Sequence, residues 1–134
     1  FDVVDFLSGS KTFFEMVLKS FVDGNLENIK NFTKASVLQS FKTAINERDK
    51  EQETLIIDLK SIQRNEIINS KVSKTAIKIS VIFESLQVRA LLDKNSKIID
   101  GDREKEILVK DEWIFERKIN ENSPNWTLIE TKSN

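Results

Sequence analysis

One carboxylate in this sequence occupies a position suited to acid–base chemistry. Asp111 precedes Trp113 and Phe115 at spacings of two, which places all three on the same face of a β-strand. A carboxyl group among aromatic rings loses hydration, and this raises its pKa toward the range in which acid–base catalysts work. A plainer explanation stays open, in which Asp111 lies near the start of the strand or pairs with a nearby Lys or Arg. We therefore expect a protein that is not an enzyme and keep catalysis by Asp111 as an alternative.

The residue types that are missing exclude most other chemistry. The 134-residue chain contains no His, no Cys and no Tyr. Without imidazole or thiolate groups, we expect neither a transition-metal site, a disulfide, a cysteine nucleophile nor a Ser-His-Asp relay. The sequence thus predicts no catalytic residue, no bound metal and no cofactor.

Composition predicts a single folded domain with little net charge. Hydrophobic residues make up 39% of the chain, and 21 Lys and Arg stand against 22 Asp and Glu. A chain of this length fits one hydrophobic core, and no apolar run approaches the ~18 residues of a membrane-spanning helix, so we expect a soluble domain. The charge balance disfavours nucleic-acid binding. It stays open as a third alternative, because Lys71, Lys74 and Lys78 could form a local basic stripe on one face of the sheet.

The first half of the chain has the hydrophobic spacing of helices. A first helix is predicted to end at Gly24 and to bury Phe14, Val17, Leu18 and Phe21. A short second helix is predicted from Asn25 to about Lys30, with Leu26, Ile29 and Phe32 as its buried side.

A third helix is predicted from a capping box at Ser36 and Gln39. Its buried face would consist of Val37, Phe41, Ala44 and Ile45. The run 47–53 contains no apolar residue and is interpreted as a solvent-exposed helix end.

The second half changes to an alternation of apolar and polar residues, which is typical of strands. A long strand is predicted over 75–92, with a bend or bulge near Ser85, and others over 54–61, around Ile67, over 107–116 and over 126–131. The segments 93–97, 100–101 and 120–124 are predicted to form turns or loops.

Helices followed by antiparallel hairpins indicate the α+β class, with helices packed on one face of a sheet. We expect one domain over 1–134, made of an apolar N-terminal segment at 1–7, helices over 8–52 and a curved antiparallel sheet over 53–134.

Two groups of residues resemble a known family, the C-terminal domain of Tim44-like proteins. One group runs from Gly101-Asp102 through Asp111, Trp113, Phe115 and Arg117 to Pro124-Asn125-Trp126-x-Leu128. The helical half agrees through Phe13-Phe14-Glu15, Phe21, Gly24 and Phe41-x-x-Ala44-Ile45-x-x-Arg48. The family comprises a peripheral subunit of the mitochondrial inner-membrane protein translocase and its bacterial relatives, and the resemblance extends from Phe6 to Thr131.

The resemblance implies a cone-shaped, nuclear-transport-factor-two-like fold with a large apolar pocket. It also implies a peripheral role at a cardiolipin-rich inner membrane, and in mitochondria contact with the translocation channel and a seventy-kilodalton heat-shock chaperone. Bacterial relatives are often anchored by an N-terminal hydrophobic helix. Because the chain begins at Phe1 and not at Met, we expect such a segment to be absent from it. The same domain occurs in a mitochondrial ribosomal protein, so the fold alone does not fix the partner.

The pocket is expected among the aromatic and aliphatic residues of the helices and of two strands. Its candidate lining residues are Phe14, Leu18, Phe21, Phe41, Ile45, Val81, Phe83, Trp113 and Phe115, with Phe32 as a further aromatic. Such a pocket would hold an acyl chain, a peptide or an apolar segment of a partner. The alternative is an ordinary filled core.

The N-terminal segment is a second candidate contact surface, for a membrane or a partner, through Phe1, Val4, Phe6 and Leu7. Asp2 and Asp5 oppose binding to an anionic lipid such as cardiolipin. We therefore expect this segment to pack against the domain, another copy or preceding sequence.

Taken together, the residues and the resemblance predict a non-catalytic binding or scaffold domain. It would be associated with the membrane and linked to protein translocation or membrane-protein assembly, with translocase components or a chaperone as partners. A carrier of lipid or of a small apolar ligand in the cone is an alternative, and the oligomeric state is left open.

Overall fold

The computed structural model describes residues 1–119 and 125–133, which form two α-helices followed by five strands. The strands form one antiparallel sheet in the order β1-β2-β4-β5, and β3 pairs with β2. The predicted α+β class with helices ahead of an antiparallel sheet is confirmed. The bounds are α1 Val3–Asp23, α2 Ala35–Lys50, β1 Thr54–Val72, β2 Ala76–Leu92, β3 Ile98–Gly101, β4 Ile107–Lys118 and β5 Thr127–Ser133.

Helix α1 has a defined cap at each end. The Asp2 side chain accepts a hydrogen bond from the Asp5 backbone N–H at 3.1 Å, and Gly24 ends the helix with a φ of 73°. The predicted stop at Gly24 is confirmed, because glycine adopts this left-handed conformation without strain. The helix begins at Val3, so most of the segment 1–7 is part of α1.

The predicted second helix is wrong. Asn25 uses its side chain to accept from the Glu27 backbone N–H at 3.0 Å, which closes a local turn in place of a helix cap. Between α1 and α2, where every residue is described, the only helical residues form a single 3₁₀ turn, Lys30–Phe32. Phe32 is 39% exposed and does not form the buried side that was predicted.

The predicted capping box at Ser36 and Gln39 is also wrong. Helix α2 begins at Ala35, its N-cap Lys34 makes no side-chain capping bond, and both residues of the predicted box lie inside the helix. A tertiary contact fixes the start instead: the Lys34 backbone N–H donates to the Leu128 carbonyl of β5 at 2.8 Å.

The charged run 47–53 is not wholly solvent-exposed, because Arg48 is buried. Its guanidinium donates to the backbone carbonyls of Phe21 and Val22, at 2.8 and 3.3 Å, and lies 5.2 Å from the centre of the Phe21 ring. Arg48 therefore satisfies carbonyls at the C-terminal end of α1 and ties α2 to it.

Strand β1 is one long strand, not the two separate strands predicted at 54–61 and around Ile67. Its register against β2 shifts at three places, where Lys60, Gln63 and Ile68 have no opposite residue. Bulges of this kind bend a sheet and increase its twist. They give the sheet its curvature.

The bulge predicted near Ser85 in β2 is wrong, since β2 pairs with β4 without interruption from Ala76 to Gln87. The irregularities near Ser85 lie on β1, opposite it. Because β2 is regular, alternate residues keep one face along its length. Ser85, Gln87 and Arg89 consequently continue the face of Phe83, and the apolar residues Leu86, Val88, Ala90 and Leu92 lie on the other.

The core lies between α1 and the centre of the sheet. Phe14 stacks on Phe83 with ring centres 4.4 Å apart, and Trp113 lies 4.8 Å from Phe14. Leu128 of β5 is fully buried in the same cluster.

The turn at 93–97 is confirmed, with the Asp93 carboxylate accepting from the Asn95 and Lys97 backbone N–H groups. The turn predicted at 100–101 falls instead on the end of β3. The predicted loop 120–124 lies outside the described residues.

Candidate functional site

Two of the concave regions along α1 are lined by aromatic side chains, one near its N-terminal half and one near its C-terminal half. We call the first the aromatic groove; its walls include Phe1, Phe6, Phe13, Phe32, Phe115 and Trp126, and its volume is about 560 Å³. We call the second the polar cleft; its walls include Leu18, Phe21, Phe41, Gln87, Arg89, Asp111 and Trp113, and its volume is about 240 Å³.

Phe6 organises the aromatic groove. Its ring contacts Trp126 at 4.9 Å and Phe115 at 5.9 Å between centres, both edge-to-face, which is a favoured aromatic geometry. Phe6 itself is 9% exposed, whereas Phe1, which also lines the groove, is 71% exposed. The groove thus combines a buried aromatic floor with accessible apolar surface.

Charged groups of both signs border the aromatic groove. The Arg117 guanidinium lies 5.8 Å from the centre of the Trp126 ring, a cation–π contact. Asp2 and Asp5, at the start of α1, also line the groove. The border therefore has no strong preference for an anionic or a cationic surface.

The polar cleft has apolar walls and a hydrophilic floor. Phe21 of α1 and Phe41 of α2 contact each other at 5.8 Å between ring centres and form one wall. The floor is the face of the sheet that continues from Phe83, and there the side chains change from aromatic to polar at Ser85 and Gln87.

Gln87 and Asp111 are the most unusual groups on this floor. Gln87 is fully buried, and its Nε2 donates to the Ser85 hydroxyl at 2.9 Å, but its Oε1 has no partner within the described residues. Asp111 is half-buried, and its Oδ1 accepts from the Ser133 hydroxyl at 3.4 Å. Burial raises the pKa of Asp111, while the Ser133 hydrogen bond and the positive charge of Arg89 oppose this rise.

The structure divides the predicted pocket residues into three groups. Leu18, Phe21, Phe41 and Trp113 line the polar cleft, and Phe115 lines the aromatic groove. The others belong to the filled core and line neither region: Phe14, Ile45, Val81 and Phe83.

The predicted N-terminal contact residues also separate. Phe1 and Phe6 line the aromatic groove, Leu7 packs against the core, and Val4 is 75% exposed. This arrangement agrees with packing of the segment against its own domain.

Sequence reasoning missed several residues of both regions. Phe13, Trp126 and Arg117 had not been assigned to a pocket, and no periodic signal connects the helix and the strands that bring them together. Gln87 and Arg89 could have been predicted from the sequence, because alternation along the strand places them on the same face as Phe83. The expected bulge at Ser85 would have shifted this alternation and concealed the relation.

The described residues contain no group of three or more carboxylates positioned to hold a metal ion. Lys71, Lys74 and Lys78 are exposed, and Lys78 lies 3.9 Å from Glu116. Within the described chain, no helix is long and apolar enough to cross a bilayer.

Two helices over a curved, open antiparallel sheet, with concave regions along the first helix, define an α+β domain of the cone type. Within that class, the chain belongs to the Tim44-like domain family, whose sequence model matches residues 1–133. The family inferred from the sequence is thereby confirmed, and it associates the chain with membranes and with protein translocation at the level of the family.

A solved structure supports the fold. The chain is similar to the intermembrane space region of the chloroplast protein ARC6, with a TM-score of 0.63 and 11% sequence identity, over 99% of this chain and 96% of that one. At this identity the likeness concerns the fold alone. No curated protein matches the sequence.

Proposed function

We propose that this domain is a non-catalytic scaffold that holds an apolar segment of a protein partner in the aromatic groove, during protein translocation or membrane-protein assembly. The observation that carries the proposal is the groove itself, with its buried aromatic floor and the exposed rings of Phe1 and Phe32 in its lining. The family supports the process, and the groove supports the mode of binding.

The groove has features that favour binding of a protein segment. Phe6 and Phe115 are buried and already in edge-to-face contact, so few side chains need to be ordered when a partner binds. Phe32 is 39% exposed beside Phe13, with ring centres 6.4 Å apart, and offers apolar surface to cover. Burial of such surface contributes about 25 cal/mol per Å², and aromatic residues commonly dominate interface energies.

The partners we propose are translocase or membrane-protein components, and a heat-shock chaperone. We place the protein at the inner membrane, with attachment through a segment that precedes Phe1. Asp2 and Asp5 at the start of α1 support attachment by such a segment, since carboxylates are repelled by anionic lipid.

Site-specific photo-crosslinking in native membranes tests the proposal. A photoreactive phenylalanine analogue replaces Phe32 in the groove, and a matched control replaces Val72, which is 73% exposed at the end of β1 and outside the groove. We expect Phe32 to crosslink to a translocase or membrane-protein component and Val72 not to. Identical products from both positions, or no product from Phe32, would contradict the proposal.

A further inference from the structure

We propose that the polar cleft binds a small neutral molecule that carries an alcohol or carboxamide head and a compact apolar body. This site is separate from the aromatic groove, and the proposal does not depend on the scaffold function. It rests on an unpaired buried amide, on two opposite charges that line the same cleft and on the apolar walls.

The unpaired amide is that of Gln87. Buried polar groups in proteins nearly always have hydrogen-bond partners, and a fully buried oxygen without one is an exception that needs a cause. Turning the amide over does not remove the exception, because the Ser85 hydroxyl pairs with one end of the amide in either orientation. Gln87 is one of the residues that line the cleft, so its unpaired amide end lies at the edge of this cavity.

The charges of the floor select a neutral head group. Arg89 and Asp111 lie on neighbouring strands and both line the cleft. The Arg89 guanidinium forms no hydrogen bond with the described residues, so it has donors to offer. A ligand carboxylate cannot donate a hydrogen bond to the Gln87 oxygen, and Asp111 repels it. A ligand ammonium is repelled by Arg89.

Alcohols and carboxamides meet these conditions, because each both donates and accepts a hydrogen bond. The head can donate to Gln87 or Asp111 and accept from Arg89. If the Gln87 amide is turned over, the same head accepts from its Nε2 instead.

The walls and the volume restrict the body of the ligand. Phe21 and Phe41 present aromatic surface above the floor, and Trp113 lies on the same sheet face as Asp111. The volume of about 240 Å³ exceeds the ~150 Å³ that accommodates benzene, and is below the ~300 Å³ at which sites for drug-sized ligands begin. A single ring with a small head fits this range.

Nuclear magnetic resonance titration of the ¹⁵N-labelled chain tests the proposal with four probes of equal size: benzamide, benzyl alcohol, benzoate and benzylamine. We expect the two neutral probes to shift the backbone amide signals of Gln87, Arg89 and Asp111, with at least tenfold weaker binding of the two charged probes. Equal binding of all four, shifts confined to Trp126 and its surroundings, or no shifts at millimolar concentration would overturn it.

Substitutions distinguish a ligand-binding role of Gln87 from a structural one. Gln87→Leu should weaken benzamide binding at least tenfold while leaving the thermal midpoint unchanged or higher, because the unpaired oxygen is removed. Gln39→Leu, at an exposed position on α2, is the matched control and should leave binding unchanged. A lower midpoint with unchanged binding would show that Gln87 is structural.

A second variant keeps the test informative if Gln87→Leu does not fold. Ala44 lines the cleft from α2, and Ala44→Leu fills part of the cleft without altering its floor. Leucine is well tolerated in helices, so the fold should persist. We expect loss of benzamide binding; retention in this variant would place the probe elsewhere and overturn the proposal.

Discussion

At the residue scale, the fold moves the charged groups of Arg48 and Asp111 away from water, with different results. Arg48 is 8% exposed and has backbone carbonyls as partners. Asp111 is half-buried, and its hydrogen bond to Ser133 is long at 3.4 Å. We therefore expect Arg48 to stabilise the fold and the ionised form of Asp111 to oppose it.

Replacement of Asp111 by Asn should raise the free energy of unfolding at pH 7. The pKa of Asp111 is raised in the folded state, above its ordinary value of 3.8, so the unfolded chain loses its proton first as the pH rises. The wild type thus loses stability between pH 3.8 and the higher folded pKa. The gain in Asp111→Asn should vanish below pH 3.8, where the carboxyl is protonated in both states; urea unfolding at several pH values measures it.

Asp102 provides the contrasting control. Its carboxylate accepts from the Glu104 and Lys105 backbone N–H groups, and these bonds lower its pKa. Ionised Asp102 therefore stabilises the fold above its ordinary pKa, and Asp102→Asn should lower stability at pH 7. A change of the same sign in both variants would contradict this assignment.

Replacement of Arg48 by Met should lower the free energy of unfolding by about 2 kcal/mol, since hydrogen bonds to charged groups contribute about 1.5–3 kcal/mol. The change leaves the Phe21 and Val22 carbonyls without their side-chain donor. Lys50→Met, at an exposed position two residues further along α2, should stay within about 0.5 kcal/mol of the wild type in the same urea titration.

At the element scale, strands β1 and β2 differ in the regularity of their pairing. The three shifts in register along β1 let it curve around the sheet, while β2 stays regular and holds its side chains in constant phase. This combination places Gln87 and Arg89 beneath the helices. The position of the polar cleft is thus a consequence of where the bulges fall.

Two glycines test how tightly the elements are packed. In β3, a Cβ at Gly101 would lie 2.2 Å from the Arg89 carbonyl oxygen, and φ there is 80°. Gly101→Ala should cost about 2 kcal/mol or more, from clash and backbone strain. In α1, a Cβ at Gly9 meets nothing within 4 Å, so Gly9→Ala should stabilise by about 0.5–1 kcal/mol. Thermal unfolding distinguishes the two, and equal effects would contradict the packing described.

At the scale of the whole molecule, the two aromatic-lined regions along α1 correspond to the two binding roles proposed above. We propose an apolar protein segment for the aromatic groove and a small neutral molecule for the smaller polar cleft. Phe14 and Phe83 lie in the filled core, so neither region opens through the centre of the domain.

We expect the purified chain not to float with liposomes, with or without cardiolipin. The net charge is −1, and Asp2 and Asp5 lie at the start of the helix that presents Val4 to solvent. Asp2→Asn with Asp5→Asn tests the reason, since it should increase flotation with cardiolipin at low salt. Cardiolipin-dependent flotation of the wild type would place the membrane contact within these residues.

The sequence by itself determined the fold class, the family, the end of α1 at Gly24 and the presence of long strands. These depend on local spacing, on a residue with special backbone freedom and on motifs that persist along the chain. The sequence also indicated Asp111 as a carboxyl group with a shifted pKa, because residues two apart on a strand share a face and Asp111 therefore lies on the face of Trp113.

Only the tertiary structure decided which candidates form a cavity and which fill the core. Phe14 and Phe21 have the same helical periodicity, yet one is fully buried and the other lines a cleft. Periodicity gives the face of an element and not the distance to its neighbour. That distance depends on the bulges of β1 and on long-range contacts such as Lys34 to Leu128, in which the paired groups are far apart in sequence.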